Sequence, residues 1–552
     1  MTNPPNHNPS DQDGESHTHT ETDTDGQNHP ISPWLAGLAG VVAGAFALAV
    51  GELTSSMYSP RPGPLVSVAN RVIDNAPGWF VEFGKAVFSL NDKPALVVGT
   101  ILISLASAAG LGVWSRRRLW IGFAGIAGFG VAGMLAIAYD AQGGWGLALP
   151  VNLTATLSGM LALWLLMGRL RSNPSGAAPS AGGVSPSRRQ FITGIGSFGL
   201  ATAVSVIAAD FVRKRATVAA ARDAVSLQPP RNTVVQSTTS TTAGGASRTP
   251  FGPIADTVGI SPSIVPNDKF YLIDTAVQVP QVDPNDWELT IDGMVDKPIS
   301  ISYQDLLDRS THIETVTLSC VSNEVGGSLV GNAIWQGVPL TELLDEAGVD
   351  PDASQIASWS RDGWSCGFPT DVAYDGRSAM VAVGMNGEPL PIRHGFPARL
   401  VVSGLYGYVS ATKWLERIEL TTLDAFDGYW INKGWSKFGP VKLQSRIDTP
   451  RTGDSVAAGT KIPIAGVAWA PSVGIKSVEV RVGDGPWQQA DLGESLGVHA
   501  WRQWRLGWTP DEGRHIITVR AVSMNGETQT SEVAPPAPDG ATGWHSIGVS
   551  AL

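Results

Sequence analysis

The sequence predicts a multi-domain protein in three parts, an all-α transmembrane bundle, an α+β domain and a β-sandwich. Three observations predict it: five apolar stretches of membrane-crossing length before residue 212, a mixture of short strand-like and helix-like runs after Pro253, and Gly- and Pro-bounded strands about every ten residues after Ile447. At 552 residues the chain has room for several cores, because single cores stop growing near roughly 250 to 300 residues.

Residues 1–30 are His, Thr, Asp, Asn and Pro with almost nothing to bury, so they predict a disordered polar tail. Four of the nine histidines sit there, and in such a tail they are expected to be solvated. From 31 to 212 the apolar stretches at about 33–52, 94–114, 119–139, 148–168 and 191–210 approach the roughly 20 residues that cross a bilayer. Gly and Ala mixed with Leu, Val and Ile suit close helix packing, and Trp34, Trp114, Trp120, Trp145 and Trp164 suit interfacial belts.

Arg116, Arg117 and Arg118 between the second and third spans, and Arg169, Arg171, Arg188 and Arg189 between the fourth and fifth, mark both loops as cytoplasmic. Five alternating crossings then leave everything after Asp210 outside. Arg213, Lys214 and Arg215, just beyond the last span, oppose that orientation. Ser187-Arg188-Arg189-Gln190-Phe191-Ile192 resembles the twin-arginine export signal, whose route moves folded domains and so answers the objection. Two arginines in an ordinary positive flank are the plainer reading of the same residues.

Residues 213–250, rich in Ala, Ser, Thr and Gly, predict a flexible linker. Residues 251–447 predict the α+β domain, with strands such as 287–291 and 315–318 and helices such as Tyr303–Arg309 and Leu340–Ala347. Residues 448–552 predict an immunoglobulin-like β-sandwich. The formal net charge of −11 and the absence of a basic stripe exclude a nucleic-acid binder. With only Cys320 and Cys366 there is no disulfide framework, no CxxC metal site and no CxxCH haem attachment.

Cys320 ends an apolar strand and is followed by Ser322-Asn323-Glu324 and Gly326-Gly327, where a strand hands over to a loop that presents side chains. By itself this leaves open an inert buried thiol or a Cys320–Cys366 disulfide.

Thr317-Leu318-Ser319-Cys320-Val321-Ser322-Asn323, then Asn332-Ala333-Ile334-Trp335-Gln336-Gly337-Val338-Pro339-Leu340, resembles the cofactor-binding core of the sulfite oxidase family of molybdopterin enzymes. Met385-Asn386-Gly387-Glu388-Pro389-Leu390-Pro391, His394-Gly395-Phe396-Pro397-Ala398-Arg399-Leu400, and Gly404 and Gly407 before Lys413-Trp414-Leu415 follow in the order of that family. The resemblance runs from about Phe270 to the C-terminus. Jointly the motifs are specific, whereas each alone is weak.

The resemblance implies a molybdenum–molybdopterin cofactor, with Cys320 as the only protein ligand of the metal and the catalytic residue. A soft thiolate supports the metal while leaving an oxo position open. It implies that Arg399 and Lys413 suit the pterin phosphate, His394 the pterin or its linker, and Asp362 the loop acid that contacts the cofactor. Tyr271, Asn323 and Thr412 complete the implied cofactor-binding set, and Gly404 and Gly407 are expected to let backbone amides approach closely. The sandwich, with Gly466-Val467-Ala468-Trp469, resembles the family's second domain, often used for dimerisation, which leaves room for a homodimer.

Two departures bear on the substrate. Sulfite-oxidising members follow the cysteine and Asn with arginines, and here Asn323 is followed by Glu324 and Val325; the Glu324 carboxylate would repel sulfite. They also place a tyrosine before the Met-Asn-Gly turn, where this chain has Val383. The expected reaction is oxygen-atom transfer to or from a small, neutral substrate such as a sulfoxide or N-oxide. Trp335, Trp364, Tyr406 and Tyr408 are aromatic candidates for its pocket, with core packing the commoner role for each.

No histidine lies in any of the five spans, so no haem is expected in this chain. Electrons must pass to or from another protein such as a cytochrome, a quinone or a soluble carrier. The alternatives are a non-catalytic cofactor-binding or sensory membrane protein on the same fold, and an adhesion protein whose sandwich binds partners.

Overall fold

The computed structural model describes residues 31–58, 61–77, 80, 83–84, 87–88, 92–171, 186–215, 218–231 and 253–552. The polar tail at 1–30 and residues 216–217 and 232–250 of the expected linker lie outside the described residues.

The first part consists of α1 (Pro33–Ser56), α2 (Pro64–Asn75), α3 (Asp92–Trp114), α4 (Leu119–Ala138), α5 (Trp145–Arg171) and α6 (Pro186–Arg215). All but α2 are long and apolar enough to cross a membrane, and they stand at the five places marked by the hydropathy pattern. Small residues allow the closest crossing. A Cβ on Gly40 of α1 would meet the Ala108 carbonyl oxygen of α3 at 2.1 Å, and one on Gly112 would meet Ala36 O at 2.2 Å.

The two ends of the bundle differ. At one, Arg116 donates to Ile31 O (3.0 Å) and Arg171 to Ser115 O (3.0 Å). At the other, Arg213 pairs with Glu52, which also accepts the Leu65 N–H (3.1 Å), and Asn70 donates to Asp140 (2.9 Å). Arg213, one of the three basic residues that oppose the expected orientation, is thus ion-paired at this end of the bundle. This second end meets the α+β domain through the Lys93–Asp274 ion pair (2.6 Å) and through Ala141, whose Cβ lies 2.6 Å from where a Cβ on Gly363 would stand.

The expected flexible linker is corrected over 218–231. Val218 is buried in the core of the following domain, and Arg222, in α7 (Ala219–Asp223), donates to Leu390 O (2.9 Å) and Pro389 O (2.6 Å) and pairs with Glu388 (2.7 Å). Gln336 reaches Gln228 O at 2.7 Å. Specific side-chain bonds override a composition that by itself reads as a loose tether.

The α+β domain has two sheets. The first contains β1 (Glu288–Gly293), β2 (Ile299–Ser302), β5 (Gln355–Ser360), β6 (Ser365–Pro369) and β10 (Leu415–Thr421) in the order β2-β1-β10-β5-β6, with β1 and β10 parallel. The second contains β3 (His312–Ser319), β4 (Val330–Pro339), β7 (Ala379–Met385) and β8 (Glu388–Pro389) in that order, with β9 (Arg399–Val402) also paired to β7. Helices stand at Tyr303–Arg309 and Leu340–Ala347, as the periodicity predicts. The first is capped by Ser302, whose hydroxyl accepts the Asp305 N–H, and the second stops at Gly348 in the left-handed region (φ +71°).

The last part places β11 (Gln444–Thr449), β13 (Ile462–Trp469), β17 (Arg502–Trp508) and β16 (Asp491–Leu492) in one sheet. β12 (Ser455–Val456), β19 (His545–Ala551), β18 (Gly513–Ser523), β14 (Ile475–Val482) and β15 (Gln488–Gln489) form the other. Ile464 and Trp504 from one and Val478, Ile517 and Ile547 from the other share a core. β11 already begins at Gln444, so this unit starts a few residues before the expected boundary at 447.

Candidate active site

Cys320 directly follows β3, whose last five residues are buried, and antiparallel pairing of β3 with β4 in the register Ser319↔Val330 sets the loop that holds it. The Cys320 N–H donates to Leu329 O (2.9 Å), the Asn323 N–H donates to Cys320 O (3.1 Å), and Asn323 Oδ1 accepts the Leu329 N–H (2.8 Å). The Asn323 carbonyl is therefore spent on closing the loop. Cys320 is buried at 9% exposure and forms no disulfide with Cys366, which stands in β6 against Ser358 (3.4 Å) and Thr412 (3.2 Å).

Thr412 is fully buried, and its hydroxyl lies 2.7 Å from Ser358 Oγ as well. Its side chain thus belongs to this Ser–Cys–Thr cluster, and its neighbour Lys413 projects toward the charged groups described below.

The segment before β1 supplies a second wall. Phe270 stacks on Tyr271 (ring centroids 5.2 Å) and meets the edges of Trp335 (5.8 Å) and His394 (5.6 Å). Burial pushes the Tyr271 phenol well above its ordinary range; Cys320 adds to the push and Arg399 opposes it. Tyr271, Cys320 and Arg399 therefore share one electrostatic neighbourhood.

His394 ends a short turn, and Gly395 after it needs its left-handed φ of +112°, because a Cβ there would lie 3.1 Å from Lys413 Cα. His394 Nε2 lies 2.9 Å from Asn267 O. A carbonyl only accepts, so Nε2 carries the proton and Nδ1 remains an acceptor. Burial, with Arg399, Lys413 and Arg393 nearby, lowers its pKa to about 4, so the ring is neutral.

Arg399 is 5% exposed, and its Nη1 donates to His394 O (3.1 Å) while the guanidinium lies over the Trp335 ring at 4.9 Å. No carboxylate is ion-paired to it among the described residues, and burial lowers its pKa to about 10. Buried cations are ordinarily paired. Lys413 differs: its ammonium is paired with Asp274 (2.7 Å), which also holds Lys93 (2.6 Å). Burial pushes the Asp274 carboxyl up, and the two lysines outweigh it and hold it ionised.

Asp362 folds into its own turn by accepting the Trp364 N–H (3.1 Å), and burial raises its pKa. It lines a cavity of about 740 Å³ whose far wall is formed by α2 and the loop after α4.

The sequence alone gives Asn386 no role. It sits in the left-handed region (φ +53°), accepts the Ile334 N–H (2.9 Å) and donates to Val265 O (2.9 Å) and Asn267 Oδ1 (2.8 Å). It thereby places the Asn267 carbonyl that orients His394, and the Met-Asn-Gly turn is the signal that marks it. Gly404 is corrected: at φ +81°, a Cβ would meet Ser472 Oγ of the last part at 2.4 Å, so its smallness serves contact between domains. Glu324 is exposed on a turn, and Val383 is fully buried in the core.

The last part grips the cysteine loop. Arg446 donates to Gly327 O (2.6 Å), a Cβ on Gly326 would lie 2.3 Å from the His545 ring, and Trp501 N–H donates to Thr317 Oγ1 (2.7 Å).

Residues 276–430 match the oxidoreductase molybdopterin-binding domain family. The chain is similar to mitochondrial sulfite oxidase of Rattus norvegicus, 29% identical over 327 residues that cover 49% of this chain and 58% of that one. The chain thus spans little more than half the length of that relative. It is 32% identical to the oxidoreductase YuiH of Bacillus subtilis (strain 168) over 157 residues, 28% of this chain and 76% of YuiH. Among solved structures, the sulfane dehydrogenase SoxCD from Paracoccus pantotrophus aligns at a TM-score of 0.45 and 24% identity, covering 54% of this chain and 82% of that one.

Proposed function

The chain belongs to the sulfite oxidase family of molybdopterin-dependent oxidoreductases, and from that premise we propose that it transfers an oxygen atom to or from a small neutral substrate outside the cytoplasm. The observation that carries the reading is Arg399, a buried guanidinium with no carboxylate paired to it among the described residues, set between His394 and Trp335 in the neighbourhood of Cys320. The residues present fit the family's cofactor: an unpaired cation for a phosphate, a neutral imidazole with a spare acceptor for a pterin N–H, and a thiol for a soft metal.

In this reading Cys320 holds the molybdenum, which when bound supplies the two-electron oxygen-atom exchange. Arg399 binds the pterin phosphate, and His394 accepts from the pterin through Nδ1, held in that tautomer by the Asn267 carbonyl. Asn323 positions Cys320 by closing its loop. Tyr271, beside Cys320, keeps its proton and would help hold the cofactor as a hydrogen-bond donor. Lys413 reaches a phosphate only by sharing it with Asp274, so its contribution is smaller than that of Arg399. Thr412 anchors the segment that carries Lys413 to Ser358 and Cys366, and Asp362 closes the site toward the cavity.

The burial of Val383 in the core and the exposed carboxylate of Glu324 beside the cysteine loop favour a neutral substrate over sulfite. The five long apolar helices are proposed to cross the membrane, with the immunoglobulin-like last part outside it. The gathering of Arg116 and Arg171 at the end away from the catalytic domain supports an extracytoplasmic site. Metal analysis tests the core of this reading. The purified protein should contain about one molybdenum per chain, lost in Cys320→Ser, and should turn over sulfoxides or N-oxides with reduced viologen faster than sulfite with ferricyanide. A metal-free protein would overturn the reading.

A further inference from the structure

The cavity of about 740 Å³ lies at the seam between the membrane-type helices and the α+β domain. Small-molecule sites span roughly 300 to 1,000 Å³, so it is large enough for a ring and part of a tail. One wall comes from α2 and the loop after α4, with Asn70, Asp74 and Tyr139; the other comes from Asp362, Trp364 and Tyr429. Tyr139 meets the edge of Trp145 (centroids 6.1 Å), and both are at least half exposed at the helix ends, where interfacial aromatics belong. Further along the chain from α2, Phe83, Val87 and Phe88 expose apolar side chains on the same connection.

We infer that this cavity binds the ring of a membrane quinone or quinol, which exchanges electrons with the cofactor site beyond Asp362. The inference rests on the oxidoreductase reading above and names its electron partner.

Three features select this ligand class. The seam lies at the ends of the membrane-length helices, which on the proposed membrane reading suits a lipid-soluble carrier. The rings of Tyr139, Trp364 and Tyr429 line the cavity and suit a flat ring, with Arg71 over Tyr139 (5.8 Å) and Lys433 over Tyr429 (4.7 Å). The cavity's four carboxylates, Asp74, Asp140, Asp362 and Asp427, outnumber its two cations, Arg71 and Lys433, which suits a carrier that exchanges protons and disfavours a phospholipid phosphate. Burial raises the pKa of both Asp74 and Asp362, which lets them hold protons nearer neutrality. Asp362 also links the cavity to the cofactor side, since it lies in the field of Lys413 and Asp274.

The chemistry balances. Oxidation of a quinol breaks two O–H bonds and releases two electrons and two protons. The electrons match the two-electron demand of oxygen-atom transfer at the cofactor, and the protons pass to the facing carboxylates and then to water. Reduction of a quinone runs the same exchange in reverse.

The test uses the full-length protein in phosphatidylcholine nanodiscs and the tail-less quinone menadione. Equilibrium dialysis should show saturable binding near one per chain. Val66→Trp, which fills the α2 wall, should weaken it tenfold or more while molybdenum content and viologen-linked turnover stay unchanged. If Val66→Trp melts early, Asp74→Asn keeps the cavity volume and should slow menadiol-linked turnover about tenfold with viologen-linked turnover intact.

Unchanged menadione affinity and turnover in both variants overturns the inference. So does competition by glycerophosphocholine, which assigns the cavity to lipid. Binding to Cys320→Ser but not to the molybdenum-loaded protein assigns the cavity to the cofactor itself and likewise overturns it. A protein without molybdenum that still binds menadione in a Val66→Trp-sensitive way sinks the oxidoreductase reading and leaves the quinone site standing.

Discussion

The guanidinium of Arg399 lies 4.9 Å over the indole ring of Trp335, a buried cation resting on an aromatic face where an acid would ordinarily neutralise it. Such a charge is costly without its counter-ion. Arg399→Met should therefore leave the metal-free protein as stable as the parent or more stable by about 1 to 2 kcal/mol. The same variant should lose most of its pterin. Denaturant melts of the apo form and pterin fluorescence of the extract measure the two effects.

Asn386 makes three side-chain hydrogen bonds in a backbone conformation that disfavours alanine. Asn386→Ala should cost about 4 to 5 kcal/mol, from about 1 kcal/mol per bond plus about 1 to 2 kcal/mol of left-handed strain. Asn386→Gly should recover the strain part alone. Urea titration of the purified protein separates the two variants.

His394 is neutral because burial lowers its pKa from 6.5 to about 4. The unfolded chain takes the proton more readily, so this stability is fully present above pH about 6.5 and is lost as the pH falls toward about 4. The shift corresponds to about 3 kcal/mol at its limit. Melting temperature against pH should fall across this window in the parent and more shallowly in His394→Gln.

Asp274 holds Lys93 and Lys413 at 2.6 and 2.7 Å. Asp274→Asn leaves two ammonium groups facing each other and should destabilise by about 3 kcal/mol, the scale for removing one partner of a buried pair. Lys93→Met removes only the half from the helix end. Hydrogen exchange over residues 268–276 should rise in Lys93→Met with the global melt little changed.

Gly326→Ala sets a left-handed φ of +79° against a methyl group 2.3 Å from the His545 ring. It should cost about 2 to 3 kcal/mol and loosen the cysteine loop from the last part. Molybdenum retention on dilution should shorten accordingly.

Much of this architecture is legible in the sequence for reasons that are local. Membrane-length apolar runs, the Tyr303–Arg309 and Leu340–Ala347 periodicities and the strand-to-loop step at Cys320 depend on near neighbours in the chain. The residues that act across distance are not legible. That Lys413 is already paired depends on Asp274, and the grip on the cysteine loop depends on Arg446, far along the chain. Likewise, 218–231 reads as tether by composition, and only its partners Leu390, Glu388 and Gln336 turn it into a fixed strap.

That strap limits reach. Helix α6 ends at Arg215 and Val218 is already buried in the catalytic core, so three steps along the chain, about 10 Å when fully extended, are all that separate the last apolar helix from the enzyme body. With the five apolar helices in a bilayer, as proposed, the body would be moored close against it instead of swinging on a leash. Large water-borne visitors would then be barred from its underside, which would be left to molecules that travel within the lipid sheet, while small dissolved ones would come from above.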